Sequence, residues 1–387
     1  MCYNKAKWGD YMNFIFASDS FKGSLSSEKI GQILESELKK AIPEAKSKTF
    51  LIADGGEGTL DAFLCKEGAK RIYATVSDPL FRKIKSSYVV FGETAVIALS
   101  EASGLPLLKK EEQNPLYTST YGTGELILDA LNRGYRDIVV AIGGSATNDG
   151  GIGCMSALGI KFLDSDGKII HAVGENLGKI AKIDTSCLVL GAKEAKFTVM
   201  CDVTNPLTGE NGATYVYGPQ KGAGKDALDR LECGMQNYAK VIKRELGIDT
   251  SEIVGGGAAG GIGAALSVFL GAKMTSGIET LLNLVDFDKA LENSDYVISG
   301  EGRIDFQSAC GKVIYGIGKR CQSKNVPLIC ISGCLGDGYE KAYDIGVKKI
   351  YTLVGNDVTI DQAINEAEKI YTLRAKDLFS DIKNGRI

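Results

Sequence analysis

Phe50-Leu51-Ile52-Ala53-Asp54-Gly55-Gly56-Glu57-Gly58-Thr59 runs from apolar residues through a glycine-and-carboxylate turn into the amphipathic segment Leu60, Ala62, Phe63, Leu64. That order predicts a strand, a tight turn and a helix N-terminus. Such a turn offers backbone amides to an anion, and its flanking carboxylates can hold a metal ion or accept a proton. The chain repeats the device at Asp19-Ser20-Phe21-Lys22-Gly23-Ser24, Gly143-Gly144-Ser145-Ala146-Thr147-Asn148-Asp149-Gly150-Gly151, Gly255-Gly256-Gly257-Ala258-Ala259-Gly260-Gly261-Ile262-Gly263 and Ser299-Gly300-Glu301-Gly302-Arg303-Ile304-Asp305. Phosphate-sized turns carrying Asp, Glu, Lys and Arg point to phosphoryl-transfer chemistry.

Outward from these turns, the two chain ends alternate strand and helix. Phe14 to Ala17 reads as a buried strand, and Ser26 caps a helix with Ile30, Ile33, Leu34, Leu38 and Ile42 at helical spacing, stopped by Pro43. A second strand is expected at Thr49 to Ala53. Toward the C-terminus the order is strand (Tyr296 to Ser299), helix (Lys312 to Cys321), strand (Leu328 to Ser332), helix (from Gly338), strand (Lys349 to Val354) and a last helix from Asp361. This alternation predicts a doubly wound parallel sheet of Rossmann-like type. The middle differs: short β-rich runs at Lys70 to Val90 and Ile160 to Val203 are broken by turns such as Asp164-Ser165-Asp166-Gly167, with helices at Gly124 to Asn132, Lys225 to Leu246 and Ala264 to Leu270. The expected fold is therefore α/β in two domains. Residues 1–70 plus 288–387 would form a discontinuous Rossmann-like domain and 71–287 an inserted mixed α/β domain, with the active site in the cleft between them.

Composition narrows the function. A chain of 387 residues, 44% hydrophobic and 24% charged, has ample material for two cores. No apolar run approaches the roughly 18 residues that span a bilayer, and Met1 to Asn13 lacks the apolar stretch of a signal peptide, so a cytoplasmic location without membrane contact is expected. A net charge of -3 argues against a nucleic-acid footprint. The ten cysteines contain no Cys-x-x-Cys pair, and Cys65, Cys187 and Cys330 sit in apolar segments, which predicts reduced, packed thiols. The 48 glycines are the compositional outlier; clustered at strand ends, they imply close backbone approach to ligands.

The five turns, in this order, resemble the bacterial-type glycerate kinase family. The resemblance runs from about Phe14 to the last helix and includes Tyr121-Gly122-Thr123-Gly124-Glu125-Leu126, Cys201-Asp202-Val203-Thr204-Asn205-Pro206-Leu207 and Gly218-Pro219-Gln220-Lys221-Gly222-Ala223. Three departures stand out: residues 1–13 form an extension, Gln113 replaces the usual Arg before Asn114-Pro115, and Ile314 replaces the usual Pro after Gly311-Lys312-Val313. The resemblance implies an ATP- and Mg²⁺-dependent kinase that phosphorylates a hydroxyl of D-glycerate, with position 2 preferred and 3-phosphoglycerate the alternative product. A homodimer is left open. A nucleotide- or sugar-acid-binding protein that has lost catalysis would be favoured by replacement of Lys22, Asp54 or Arg303, and all three are present. A dinucleotide-dependent dehydrogenase would want a full Gly-x-Gly-x-x-Gly turn, which Gly300-Glu301-Gly302 does not complete.

A kinase of this kind needs an anion clamp, a proton acceptor, phosphate cradles and carboxylates for Mg²⁺. Lys22 is the candidate clamp. Asp19 and Asp54 end two strands and are candidates for catalytic base and metal ligand, although an Asp after a strand commonly caps a helix. Ser20, Gly23, Gly55, Gly56 and Glu57 join them as binding residues. In the loop after the strand Ile138 to Ile142, Gly143, Gly144, Ser145, Thr147 and Asn148 are candidate phosphate or sugar ligands and Asp149 a metal ligand, but no Gly-Lys-Ser/Thr ends the loop. Gly256 and Gly257 either cradle a phosphate or let helix and sheet pack closely. Arg303, with Gly300 before it, is the candidate for neutralising charge on the transferred phosphoryl group, the structural alternative being a pair with Glu301. Asp202 and Asp305 complete the metal candidates, Asn205 the substrate candidates. His171, the single histidine, lies in a solvated-looking turn and receives no role.

Overall fold

The computed structural model describes residues 11–21, 23–53, 55–56, 58–309, 311–355 and 358–387; Lys22, Asp54 and Glu57 lie outside them. In chain order the strands are β1 (Asn13–Ser18), β2 (Lys46–Thr49), β3 (Lys70–Ser77), β4 (Lys83–Phe91), β5 (Thr94–Ala98), β6 (Asp137–Ala141), β7 (Lys161–Leu163), β8 (Lys182–Asp184), β9 (Lys196–Met200), β10 (Lys273–Thr275), β11 (Tyr296–Ile304), β12 (Leu328–Leu335) and β13 (Val347–Thr352). The chain divides into two units: Met1–Asp54 with Ile278–Ile387, and Gly55–Gly277.

In the first unit the sheet order is β13-β12-β11-β1-β2, and every pairing is parallel. The helix Ser27–Ala41 begins where the sequence places a cap, with the Ser26 hydroxyl accepting from the Lys29 N–H at 3.1 Å. Its Ile30, Ile33, Leu34 and Leu38 pack with Phe14 and Phe16 of β1 and with Tyr371, Leu378 and Phe379 of the helix Ala367–Lys383. The rings of Phe14 and Phe379 meet edge to face at 5.8 Å. The remaining core residues of β1, Ile15 and Ala17, are equally buried, as a parallel sheet covered on both faces requires.

Two strand boundaries differ from the sequence reading. The second strand lies at Lys46–Thr49, ahead of the apolar run, and pairs with β1 from Asn13↔Lys46 to Phe16↔Thr49. It is the sheet's edge strand, so polar Lys46, Ser47, Lys48 and Thr49 suit its half-solvated position. Phe50, Ile52 and Ala53 are buried beyond it, outside any strand. β11 runs on through Gly300-Glu301-Gly302-Arg303, expected as a turn, because β12 extends alongside it as far as Ile304↔Leu335.

The second unit is built on a sheet of order β10-β9-β6-β5-β4-β3. The four strands from β10 to β5 are mutually parallel, and β4 and β3 add an antiparallel hairpin. The helices Tyr121–Asn132, Ile152–Ala157, Lys225–Leu246 and Ile262–Leu270 enclose a core that includes Ile97, Leu126, Val140, Met155, Tyr238 and Leu266. β7 and β8 form a separate antiparallel pair. Cys154, Cys321 and Cys330 are buried free thiols, whereas Cys65 and Cys187 are exposed: Cys65 follows the short helix Thr59–Leu64, whose buried residues end at Phe63. Among the described residues no helix is long and apolar enough to cross a membrane.

Candidate active site

In the second unit β5, β6 and β9 are in parallel register, with Ala98, Ala141 and Met200 aligned. The segments that follow therefore leave the sheet at its carboxyl edge, where ligands of open α/β sheets collect. Here two of the sequence-predicted turns meet. The Gly143 N–H donates to the Gly55 carbonyl at 3.0 Å, and a Cβ on residue 143 would fall 2.7 Å from that oxygen. Only glycine permits this approach.

The Gly143–Gly151 loop is held from every side. Leu105 N–H donates to the Gly144 carbonyl at 2.9 Å, the Thr118 hydroxyl to the Ala146 carbonyl at 3.0 Å, and Gly150 N–H to the Gly260 carbonyl at 2.9 Å. Gly260 has φ of +74°, and a Cβ there would sit 2.0 Å from the Thr147 carbonyl, so this part of the Gly255–Gly263 run serves close packing against the loop. Gly256 and Gly257 are buried too, and the Gly257 N–H donates to the Asn205 carbonyl at 2.9 Å.

The loop's outward face is short. Gly143 is half-buried and Gly144 exposed, Ser145 is nearly covered, and Thr147, Asn148 and Asp149 are wholly buried. Asn148 Nδ2 donates to the Thr214 hydroxyl at 3.1 Å, while Thr147 Oγ1 and Asn148 Oδ1 have no hydrogen-bond partner. The Asp149 carboxylate accepts from Thr120 N–H and Oγ1–H, both at 2.8 Å, and from Gly151 and Gly153 N–H, both at 3.1 Å. Burial still pushes its pKa up. Asp149 thus closes the loop onto the start of the helix Tyr121–Asn132.

Behind the loop stands a residue for which sequence reasoning assigned no role. Lys221 is buried, and its Nζ donates to Ser145 Oγ and to the Thr147 carbonyl, each at 2.6 Å. Its position between glycines in Gly218-Pro219-Gln220-Lys221-Gly222 was the available signal. The Gln113 departure lies beside it, with Gly222 packed against the Gln113 carbonyl. At the end of β9, Asp202 is exposed and accepts from Gly277 N–H at 2.9 Å. Asn205 is engaged at both ends, by Tyr217 OH at 2.6 Å and the Asn211 carbonyl at 2.8 Å.

The first unit has its own carboxyl edge. Asp19 follows β1, its N–H donating to the Gly300 carbonyl at 2.9 Å and its Oδ1 accepting from Ser20 N–H at 2.7 Å. Gly23 is exposed, with φ of +82°. On β11, Arg303 is exposed and pairs with Asp305 at 3.5 Å; the expected structural partner, Glu301, is not the one it meets. Asp305 also accepts from Gln307 N–H at 2.9 Å. Ile314 is fully buried in the helix Val313–Lys324, so the departure from Pro fills core.

Glu301 was set aside in the sequence as an ion-pair partner, and the structure gives it a different standing. It is only 8% exposed, and its Oε1 has no hydrogen-bond partner. Burial raises its pKa to about 7, a rise that Ser308 and Lys312 oppose and the charges of Asp19 and Asp305 reinforce. No pattern in the sequence announces this, since burial comes from the extension of β12 alongside. Among the described residues no three His, Cys, Asp or Glu side chains cluster as a ready metal cage.

Residues 14–383 match the sequence signature of the glycerate kinase family. A glycerate kinase of Halalkalibacterium halodurans is 40% identical over 366 residues, covering 94% of this chain and 96% of that protein. The glycerate 2-kinase of Escherichia coli is 41% identical, over 92% of this chain and 94% of its own. A crystal structure from Salmonella typhimurium LT2, provisionally described as glycerate kinase 2, superposes with a TM-score of 0.85 at 37% identity, covering 97% of this chain and all of that one.

Proposed function

Because the chain belongs to the glycerate kinase family, we propose that it transfers the γ-phosphoryl group of ATP to the 2-hydroxyl of D-glycerate, giving 2-phosphoglycerate. The observation that carries this reading is similarity over nearly the whole chain to glycerate kinases, one of them described as a 2-kinase.

Within this reading Gly144 and Ser145, backed by the Gly55–Gly56 turn, hold an oxyanion at the carboxyl edge of the second sheet. Gly143 shapes that turn, because its own amide is already spent on Gly55. Lys22 clamps the substrate carboxylate. Asp19 or Asp54 takes the hydroxyl proton, a contribution of about 10²- to 10⁴-fold in rate. The exposed Arg303 is available to charge that builds on the transferred group, since among the described residues its ion pair is a long contact to Asp305. Bound Mg²⁺ would neutralise phosphate charge during transfer. Asp202 and Asp305 remain the candidate carboxylates for it, Asp149 being committed to the loop scaffold. A cytoplasmic location fits ATP as the donor.

The test is a coupled assay of the purified protein with D-glycerate, ATP and Mg²⁺, the product resolved by NMR. 2-Phosphoglycerate is expected. 3-Phosphoglycerate would overturn the assigned position, and binding of both substrates without turnover would overturn the kinase reading in favour of a binding protein.

A further inference from the structure

Lys221 is a buried amine that, among the described residues, lacks the carboxylate partner such a group normally has. It is 2% exposed, and among the described residues its Nζ contacts are both neutral groups. They are a hydroxyl and a carbonyl, both on the glycine-rich loop. A cation withdrawn from water and left without a counter-charge is costly, so the site pays for something the folded chain alone does not use. Burial pulls its pKa down to about 7, and Asp149 is the one charge opposing that fall.

The hydrogen-bond direction supplies the use. In its charged form Lys221 has three donors and no acceptor, so Ser145 Oγ then accepts from it. The Ser145 proton is then left for a different acceptor, and Ser145 stands next to exposed Gly144 at the loop's outward end. We propose that Lys221 is the positioning residue of an oxyanion site, fixing Ser145 as an outward hydrogen-bond donor and lending the loop the positive charge its own residues lack. This rests on the reading of the loop as an anion site. The ligand is an oxyanion, which a phosphate of ATP or the carboxylate of D-glycerate would each supply. Lys221 acts through Ser145 and touches no reacting atom.

The experiment is calorimetric binding to the full chain of MgATP and, separately, of D-glycerate, for the parent, Lys221→Met, Ser145→Ala and the double variant. Each single change should weaken one of the two ligands by about 10-fold or more, the scale of one charge-assisted hydrogen bond, and leave the other ligand alone. The double variant should bind no more weakly than the weaker single, because both changes remove one coupled contact. Lys221→Gln, which is polar but no longer charged, is the second variant if the Met form does not fold, and it should lose affinity for the same ligand. Parent-like affinity in either folded Lys221 variant, with Ser145→Ala impaired, overturns the inference while the loop reading stands. Parent-like affinity in Ser145→Ala overturns both. Equal loss of both ligands reports a collapsed loop and also overturns the inference. Failure of the kinase reading shows separately, as parent protein that binds but does not turn over D-glycerate.

Discussion

Glu301→Gln should stabilise the protein at alkaline pH and do nearly nothing at acid pH. Burial lifts the Glu301 carboxyl from its ordinary 4.5 to about 7, and at 8% exposed it has little solvent screening. In the unfolded chain the proton leaves near 4.5; in the native chain it stays until about 7. Across that window the native state holds more protons than the unfolded state, so stability falls as pH rises. The whole interval corresponds to about 3 kcal/mol, present below its lower bound and lost above its upper one. Glutamine keeps the shape and cannot ionise, so the variant escapes that loss. The assay is urea denaturation of ligand-free, metal-free parent and variant at pH 5, 6, 7 and 8. The stability difference should grow from about 1 kcal/mol at pH 5 to about 3 kcal/mol in the variant's favour at pH 8. A difference that stays constant across the series would refute the burial argument, and so would a parent that gains stability relative to the variant as pH rises.

Three further outcomes are expected. Asp149→Asn should cost at least about 2 kcal/mol in chemical denaturation, because one carboxylate oxygen becomes an NH2 that faces either Gly151 N–H or the Thr120 and Gly153 N–H groups, which are themselves donors; parent-like stability would refute the scaffold role of Asp149. Arg303→Ala should lower kcat by roughly 10²-fold or more with an unchanged melting temperature, since among the described residues the exposed side chain's ion pair is a long one; equal kcat in steady-state kinetics would remove it from catalysis. Exhaustive chelation should abolish turnover and excess Mg²⁺ restore it, because the charge on a transferring phosphoryl group is neutralised by the metal in phosphoryl transfer; undiminished activity in chelator would sink the metal requirement.

Where polarity and periodicity act locally, the sequence was sufficient. The alternation of strand and helix at both chain ends, the Ser26 cap and the helix Lys225–Leu246 all follow from residue spacing, because a helix's apolar face and its end groups are set by neighbours three or four positions away. The collinear turns likewise carried the family. Tertiary structure decided the rest. Phe50 to Ala53 marks burial, and burial is not hydrogen bonding: the paired strand is polar Lys46–Thr49, selected by its place at the edge beside β1. Ser299 to Arg303 reads as a turn until β12 lies along it and makes it a strand. Thr147 and Asn148 look like loop ligands, yet contacts with residues far along the chain, Thr214 and Gly260 among them, bury them. Lys221 and Glu301 look like ordinary surface charges. Each became unusual because distant segments removed water from around it, and desolvation is a property of the packed neighbourhood that no local run of residues encodes.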